Sequence, residues 1–227
     1  MNFLLHHHLA ACDLGRADAA AGSMLPDVWR MADRRARLRE AEAAPEADLQ
    51  SVSDGLAHHL VVDAWFHRDP VFLHGESAAR MALRRARDAP KMGLFAHIAW
   101  ELCLDGALLR RLGTDRVLSD VRRSIAALRP DLHHRVAAVR VRLPAADRAA
   151  FETRVDRILD AMAAGPWVAG YATSAGVVER LEGLRTRLGF PALSSDDRDA
   201  VASGLELMAL EADQALEAIT AREPPTH

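Results

Sequence analysis

The chain has 227 residues, of which 50% are hydrophobic and 27% are charged, and its formal net charge at pH 7 is −3. This length and composition suffice for one compact domain with a hydrophobic core, and the small negative charge does not suggest a nucleic-acid-binding protein. Aromatic residues make up only 5%, alanine and leucine dominate, and β-branched runs are short, so we predict an all-α fold.

The two cysteines and the N-terminal segment also limit the possible classes. Cys12 and Cys103 form neither a disulfide framework nor a CxxC pair, so a metal site would use nitrogen and oxygen ligands. The segment MNFLLHHHLAACD lacks a positive region and its apolar run is broken by three histidines, which makes it a poor signal peptide. No apolar run is expected to reach membrane-spanning length, so we predict a cytoplasmic protein without a membrane partner. These features leave the oligomeric state open.

Proline and glycine punctuate a series of predicted helices. A short helix or turn is predicted over 2–10, then a helix from about Arg16 to Leu38 that Pro26 ends or kinks. An acidic loop over 40–50 leads to a central helix from about Val52 to Phe66. Together the elements predict one all-α domain over 1–227, a helical bundle without a β-sheet. Further helices are predicted over about 70–87, 94–112, 114–129, 131–143, 144–164, 167–188 and 195–219, with a frayed tail over 221–227.

Hydrophobic patterning also predicts the core and one surface. The arginine-rich run Arg34–Arg39 is expected to be a solvated face that is dispensable for folding. The large apolar residues expected mostly in the core are Leu56, Val62, Trp65, Phe66, Trp100, Leu104 and Trp167.

The central helix carries ligand-type side chains at helical spacing. His59, Asp63 and His67 follow one another at four-residue intervals, so on a helix they share one face with about 40° of drift per step. Two imidazoles and a carboxylate on one face can hold Mn²⁺, Fe²⁺ or Zn²⁺. The alternative is a solvated polar face, but the rest of the stretch, GLAHHLVVDAWFH, is apolar and indicates a buried helix.

A second apolar helix repeats this pattern with His97, Glu101 and Asp105. Near the N-terminus His6 and His8 are further candidates, and Asp27 follows the break expected at Pro26. Burying so many ionisable groups without a cation would be costly, so together they predict a metal cluster inside a helical bundle. Cys103 lies about 200° around the helix from Glu101 and is left out of the site.

Four segments occur in an order that is typical of one family. They are MNFLLHHHLA at the N-terminus, GSMLPDVWRM around Asp27, GLAHHLVVD around His59, and Trp167-Val-x-x-Tyr171 followed by Leu-x-Gly-Leu. In these motifs the chain resembles the bacterial acyl carrier protein phosphodiesterases over nearly its whole length. The matching positions within the first three segments are His6, His8, Gly22, Leu25, Asp27, Arg30, Gly55, His59 and Asp63.

The chain departs from the family pattern at several ligand-type positions. His67, His97 and Glu101 stand where the family has aspartate, and Leu102 stands where it has histidine. The family's basic pair after the central histidine is replaced by the apolar segment Leu60-Val-Val62. The ligand set therefore keeps metal-binding chemistry and shifts from aspartate towards histidine.

The resemblance implies an all-helical fold related to the HD-type phosphohydrolases. It also implies metal-dependent cleavage of the phosphodiester that links phosphopantetheine to a serine of acyl carrier protein, with Mn, Mg, Fe or Zn as cofactor. Asp27, Asp63 and Arg30 would be catalytic, and Arg30, Arg34 and Arg35 would bind the phosphate and an acidic carrier protein. The implied metal ligands are His6, Asp27, His59, Asp63, His67, His97 and Glu101.

Two alternatives keep the fold and change the function. A His/carboxylate iron site could carry out oxidative chemistry, or another hydrolysis, on a small molecule. A chain that has lost catalytic residues could be a non-enzymatic helical binding protein. The metal interpretation itself makes a geometric prediction: the His59/Asp63/His67 and His97/Glu101 stripes should face each other across the bundle, with Asp27 and His6 closing the site.

Overall fold

A computed structural model describes residues 2–39, 46–84, 92–128 and 130–221. The predicted all-α class is confirmed. The strands in the described residues are the two-residue β1 (Arg37–Leu38) and β2 (Val141–Arg142), which pair antiparallel, so the expectation of no β-sheet is wrong only by this ribbon. The α-helices of the described part are α1 (Phe3–Leu14), α2 (Ala17–Ala32), α3 (Gln50–Phe66), α4 (Pro70–Leu83), α5 (Ala96–Leu112), α6 (Thr114–Leu128), α7 (Pro130–Arg140), α8 (Arg148–Ala164), α9 (Pro166–Ala169), α10 (Ser174–Arg187) and α11 (Ser195–Thr220).

The helices form two compact units. The first unit comprises residues 3–63 and 115–166, and the second comprises Asn2 and the described residues of 64–114 and 167–221. Each unit combines separated segments of the chain, and α3 continues from the first into the second. The single domain predicted over 1–227 stays a prediction.

In the first unit, two glycines let α2 and α3 approach until their backbones touch. A Cβ on Gly22 would lie 2.3 Å from the carbonyl oxygen of Val52, and one on Gly55 would lie 1.8 Å from that of Ala19. α1 and α8 both pack against α2. The guanidinium of Arg154 on α8 donates to the carbonyl of Ala32, which ends α2. The close crossing of α2 and α3 therefore fixes the positions of Ser23, one residue after Gly22, and of His59, one helical turn after Gly55.

In the second unit, α11 packs against α4 and α5, and α4 packs against α5. A Cβ on Gly75 of α4 would lie 2.1 Å from the indole of Trp100, so this glycine lets α4 lie directly on that buried ring of α5. Arg110 of α5 pairs with Asp213 of α11 at 2.8 Å. α4 and α5 are thereby held in one fixed register.

Three predicted helices end or break earlier than expected, and one of them, predicted over 131–143, ends at Arg140 where β2 follows. The helix predicted over 167–188 breaks into α9, a 3-10 turn and α10, because Thr173 is extended and its hydroxyl accepts from the amide of Gly176 to cap α10. α2 ends at Ala32, where Asp33 is extended and binds Arg35 and Arg154. Pro26 lies inside α2 and does not end it. Of the predicted loop over 40–50, residues 40–45 lie outside the described residues, and Ala47–Leu49 form a 3-10 helix that leads into α3. The predicted helix end over 85–87 and residues 222–227 of the predicted tail also lie outside the described residues.

The predicted core is confirmed at five of its seven residues and is wrong at Trp65 and Trp167. Leu56, Val62, Phe66, Trp100 and Leu104 are buried. The two half-buried side chains are Trp65 and Trp167. Trp65 lies about 100° around α3 from Phe66, off the buried face that Val62 and Phe66 share, and the indole of Trp167 is covered by the guanidinium of Arg180, 4.7 Å from its ring centroid.

The arginines of the Arg34–Arg39 run are exposed, as predicted. They also hold surface contacts of the first unit. Arg35 pairs with Asp33 and with Asp147, and Arg39 donates to the carbonyl of Ala138. Their dispensability for folding stays a prediction.

One stretch, Met92–Leu112, is apolar and long enough to cross a membrane by length and composition, so the expectation that no run reaches this length is wrong. Most of this stretch is buried within the protein, as in the core helix of a soluble protein. The hydropathy of α5 is therefore accounted for by packing.

Candidate metal centre

The first unit brings together His6 of α1 with His59 and Asp63 of α3. Their ligand atoms all lie within 4.8 Å of one another. The rings of His6 and His59 are 4.0 Å apart between centroids, and the Nε2 of His6 lies 3.7 Å from the Oδ1 of Asp63. We call these three residues the first group. In the first group the ligand atoms of His59 and Asp63, which are one helical turn apart, lie within 4.8 Å of each other.

The two imidazoles of the first group are buried, and its carboxylate is partly exposed. His6 is 1% exposed and His59 is 5% exposed, whereas the side chain of Asp63 is 39% exposed and opens the group to solvent. Neither ring nitrogen of His6, nor the Nδ1 of His59, has a hydrogen-bond partner in the described part of the chain. Buried imidazole nitrogens without partners are costly. A cation at this point would satisfy a lone pair on each ring.

The fold fixes the orientation of His59. The backbone of Ser23 accepts a hydrogen bond from its imidazole, because the crossing at Gly22 and Gly55 brings α2 against α3 one residue and one turn away. One ring nitrogen thus holds the proton and the other keeps its lone pair, as in metal-ligating histidines. Burial, and then the neighbouring His6, lower the pKa of His59 well below its usual value, so this imidazole is neutral at pH 7.

The second unit brings together His67, His97 and Glu101, which we call the second group. α3 ends at Phe66, so His67 lies in the turn that follows rather than on the helix, and its ring stacks on His97 at 4.8 Å. The Nε2 of His97 lies 3.4 Å from Glu101, one turn along α5. The predicted stripe of three on α3 is therefore divided between the two groups. Because they belong to different units, the predicted convergence of the two stripes stays a prediction.

The sequence patterns did not point to Glu76, which contacts the second group. The Oε2 of Glu76 lies 3.3 Å from the Nδ1 of His97, and its other oxygen binds Arg80 at 2.9 Å. Gly75 lets α4 lie on Trp100 and so brings the next residue to α5. The sequence does place Gly75 directly before Glu76 on α4. That pair indicates a contact with the His97/Glu101 stripe only once α4 is known to pack on α5.

The charges of the second group shift two pKa values in opposite directions. The hydrogen bond to Glu101 raises the pKa of His97, and Glu76 adds to this effect. Burial alone would raise the pKa of Glu101, but nearby positive charges, among them the imidazole of His97, lower it to about 2. The pair therefore stabilises the fold when Glu101 is ionised and His97 is protonated.

A pH dependence of stability follows for the metal-free protein. His97 contributes fully below its unfolded value of 6.5 and loses its contribution as pH rises through the raised folded pKa. Glu101 contributes fully above its unfolded value of 4.5 and loses its contribution as pH falls towards about 2. We expect the contribution of this pair to be largest between those unfolded values. Urea unfolding of chelator-treated protein at a series of pH values measures it.

Glu101→Gln should remove the loss of unfolding free energy on the acid side of this profile. It should also reduce the loss on the alkaline side, because the hydrogen bond to Glu101 is what mainly raises the pKa of His97. The exposed Glu179 of α10 provides the matched control, since Glu179→Gln should leave the profile unchanged. A Glu101→Gln profile that coincides with the wild-type profile would contradict the prediction.

The remaining predicted residues lie outside the two groups. Asp27 is half-buried and Arg30 is exposed, both on α2. Asp105 is fully buried on α5, one turn beyond Glu101. His7, rather than His8, is the second buried histidine of α1, and its Nε2 hydrogen-bonds Ser124. The catalytic roles of Asp27, Asp63 and Arg30, and the substrate roles of Arg30, Arg34 and Arg35, stay predictions.

Both groups fit a divalent transition metal by their donor atoms, two imidazole nitrogens and a carboxylate oxygen each. The unpartnered buried nitrogens of the first group make it the stronger candidate. The positions of both groups coincide with the ligand-type positions of the sequence motifs.

Comparison with known proteins identifies the family. The family model described as acyl carrier protein phosphodiesterase matches residues 1–208 of the 227. No curated protein and no solved structure matches the chain. Because the match covers nearly the whole chain, including both groups, the protein belongs to the acyl carrier protein phosphodiesterase family.

Proposed function

We propose that this protein is a metal-dependent phosphodiesterase that hydrolyses the bond between phosphopantetheine and a serine of acyl carrier protein, or a related phosphoester. The family match over residues 1–208 supports the substrate class. The observation that carries metal dependence is the buried first group, in which His6 has no hydrogen-bond partner for either ring nitrogen among the described residues.

His6, His59 and Asp63 are the proposed ligands in the first unit, and His67, His97 and Glu101 are the proposed ligands in the second. A divalent cation supplies, when bound, a water of lowered pKa and positive charge at the phosphoryl oxygens. Histidine-rich donor sets favour Mn, Fe or Zn over Mg. The burial of His59 keeps its imidazole neutral, and the backbone of Ser23 fixes which nitrogen holds the proton.

In the proposed reaction a water oxygen forms a bond to phosphorus and the bond from phosphorus to the serine oxygen breaks. The products are phosphopantetheine and the unmodified carrier protein, whose serine regains a proton. Asp27, half-buried on α2, is the proposed acceptor of the proton that the water loses, with Asp63 as the second catalytic carboxylate. The exposed guanidinium of Arg30 is proposed to bind the phosphate in bidentate fashion.

The partner that this proposal requires is an acidic carrier protein. The exposed arginines after α2 offer complementary charge. Arg35 already pairs with Asp33 and Asp147, so we expect Arg34 to contribute more to docking. A cytoplasmic location belongs to the same proposal, and we propose no nucleic-acid or membrane partner.

The deciding experiment incubates the purified chain with phosphopantetheine-loaded acyl carrier protein and follows both products by mass spectrometry. We expect loss of the phosphopantetheine mass from the carrier protein, abolition of that loss by a chelator, and recovery on adding Mn²⁺, Fe²⁺ or Zn²⁺. A carrier protein that keeps its full mass under every metal would contradict the proposal. Inability to bind any divalent metal would favour a non-catalytic helical binding protein instead.

The donor set of each group supports a second candidate. Two histidines and one carboxylate with open positions also serve iron-dependent oxygenases. Metal analysis and the ultraviolet-visible spectrum of aerobically purified protein separate the two. Bound iron with oxygen-dependent spectral change, and no phosphodiesterase activity, would favour the oxygenase.

A further inference from the structure

A third group of ligand-type side chains lies on α7 and α8, which carry none of the family motifs. The Nε2 atoms of His133 and His134 each lie 3.0 Å from the same Oδ1 of Asp156. All three ligand atoms lie within 4.8 Å of one another. We propose that His133, His134 and Asp156 form a separate binding site for a transition-metal ion of the Zn²⁺ class, held between α7 and α8.

The distances from the two imidazole nitrogens to Asp156 suit a shared cation. Two ligands that each lie ~2.0–2.1 Å from a zinc ion are separated by about 2.9–3.4 Å across octahedral or tetrahedral angles. The two contacts at 3.0 Å to Asp156 fall in this range. The rings of His133 and His134 are nearly perpendicular, at 83°, so adjacent residues on one helix reach the same oxygen from different directions.

The surroundings of His133 supply the second observation. His133 is 4% exposed, and its Nδ1 has no hydrogen-bond partner in the described ranges. Burial, and then His134, lower the pKa of His133 to about 4, so it stays neutral and keeps one nitrogen lone pair at neutral pH. The Nε2 of this buried imidazole lies 3.0 Å from the Asp156 carboxylate, so with its proton on Nδ1 it can offer the Nε2 lone pair to a cation that Asp156 also binds.

The site is open on one side. The side chain of His134 is 34% exposed and that of Asp156 is 42% exposed, so a cation enters from solvent and water fills its remaining positions. Two imidazoles with one carboxylate select Zn²⁺, Ni²⁺, Co²⁺ or Cu²⁺ over the oxygen-seeking Mg²⁺ and Ca²⁺. α7 and α8 are already joined by Arg148 of α8, which donates to the carbonyls of Ala137 and Val141. The third group is therefore rigidly placed on two helices.

The test compares the full-length wild-type chain with Asp156→Asn and His134→Gln. Both positions are partly exposed, so we expect both variants to fold, which circular dichroism checks. Zn²⁺ equivalents are counted by equilibrium dialysis and elemental analysis, and each variant should lose one equivalent. His74→Gln is the matched control, since His74 is an exposed histidine on α4, and it should retain every equivalent.

A site-specific readout keeps the proposal falsifiable whatever the other two groups bind. Carbethoxylation of His134, followed by peptide mass spectrometry, should fall at least several-fold on adding Zn²⁺, while carbethoxylation of His74 should not change. Unchanged zinc stoichiometry in Asp156→Asn, or unprotected His134 at saturating Zn²⁺, overturns the proposal. Loss of an equivalent in His74→Gln as well would also overturn it.

Discussion

Replacing His59 by alanine should abolish the proposed metal binding by the first group and lower the proposed phosphodiesterase activity on the order of 10³-fold. Activation by a bound cation contributes several kcal/mol to a hydrolysis, and each 1.36 kcal/mol is a factor of ten in rate. His59 is buried, neutral and oriented by the backbone of Ser23, so alanine removes a ligand that the fold holds in place. Turnover of phosphopantetheine-loaded carrier protein and metal content measure the two effects.

The helical content should survive the change. His59 lies on α3, alanine is the best helix former, and the substitution removes a nitrogen that has no hydrogen-bond partner in the described part of the chain. Asp63→Asn, which keeps the size of the side chain and removes its charge, should reproduce the loss of metal. His74→Ala on the exposed face of α4 serves as the control. Full activity and full metal content in His59→Ala would remove the first group from the mechanism.

Metal content also tests the predicted convergence of the two stripes, with His59→Ala, Glu101→Gln and the double variant. If one cation is shared, His59→Ala and Glu101→Gln should each lose the same metal equivalent, and the double variant should lose no more. If the groups bind separately, the losses should add. Elemental analysis of the three variants distinguishes these outcomes.

Replacing Gly55 by alanine should have the largest effect on stability. The new methyl group would lie 1.8 Å from the carbonyl oxygen of Ala19, and the obstructing atom belongs to a helix backbone rather than to a movable side chain. Overpacking a well-packed core costs about 1–3 kcal/mol, and we expect a value at or above the upper end because α2 and α3 must separate. Urea unfolding followed by circular dichroism measures the change.

Gly183 provides the matched control. It lies inside α10 and is exposed, and an added Cβ there meets nothing within 4 Å. Gly183→Ala should therefore stabilise the protein by about 0.5–1 kcal/mol, since alanine loses less backbone entropy in a helix than glycine. Gly55→Ala should also weaken metal binding, because moving α2 away from α3 removes the contact between Ser23 and His59. An unfolding free energy of Gly55→Ala equal to that of the wild type would contradict the close-crossing interpretation.

The local spacing of apolar and ligand-type residues in the sequence was enough to predict most of the helices and part of the candidate site. The period of apolar residues predicts most helices, because a helix must bury one face whatever its partner is. Four-residue spacing placed His59 and Asp63 on one face of α3 for the same local reason. The motifs around His6, Asp27 and His59 were enough to indicate the family, which the match over residues 1–208 shows.

Local pattern failed where a non-local contact decided the outcome. His67 lies one residue beyond the end of α3, which is at Phe66 as predicted, and the stacking of its ring on His97 joins two elements that the spacing on one helix does not relate. The break between α9 and α10 depends on Gly176 approaching the backbone of Gly170, 2.1 Å from a would-be Cβ to the carbonyl oxygen, which no propensity predicts.

Only the tertiary structure selected the partners of each ligand. Glu76 reaches His97 because Gly75 fits against Trp100, and the side chains of His133 and His134 on α7 meet that of Asp156 on α8. These contacts join residues 21 or more positions apart. The period of a single helix carries no information about such pairs, since they depend on how two helices pack and not on the sequence of either one.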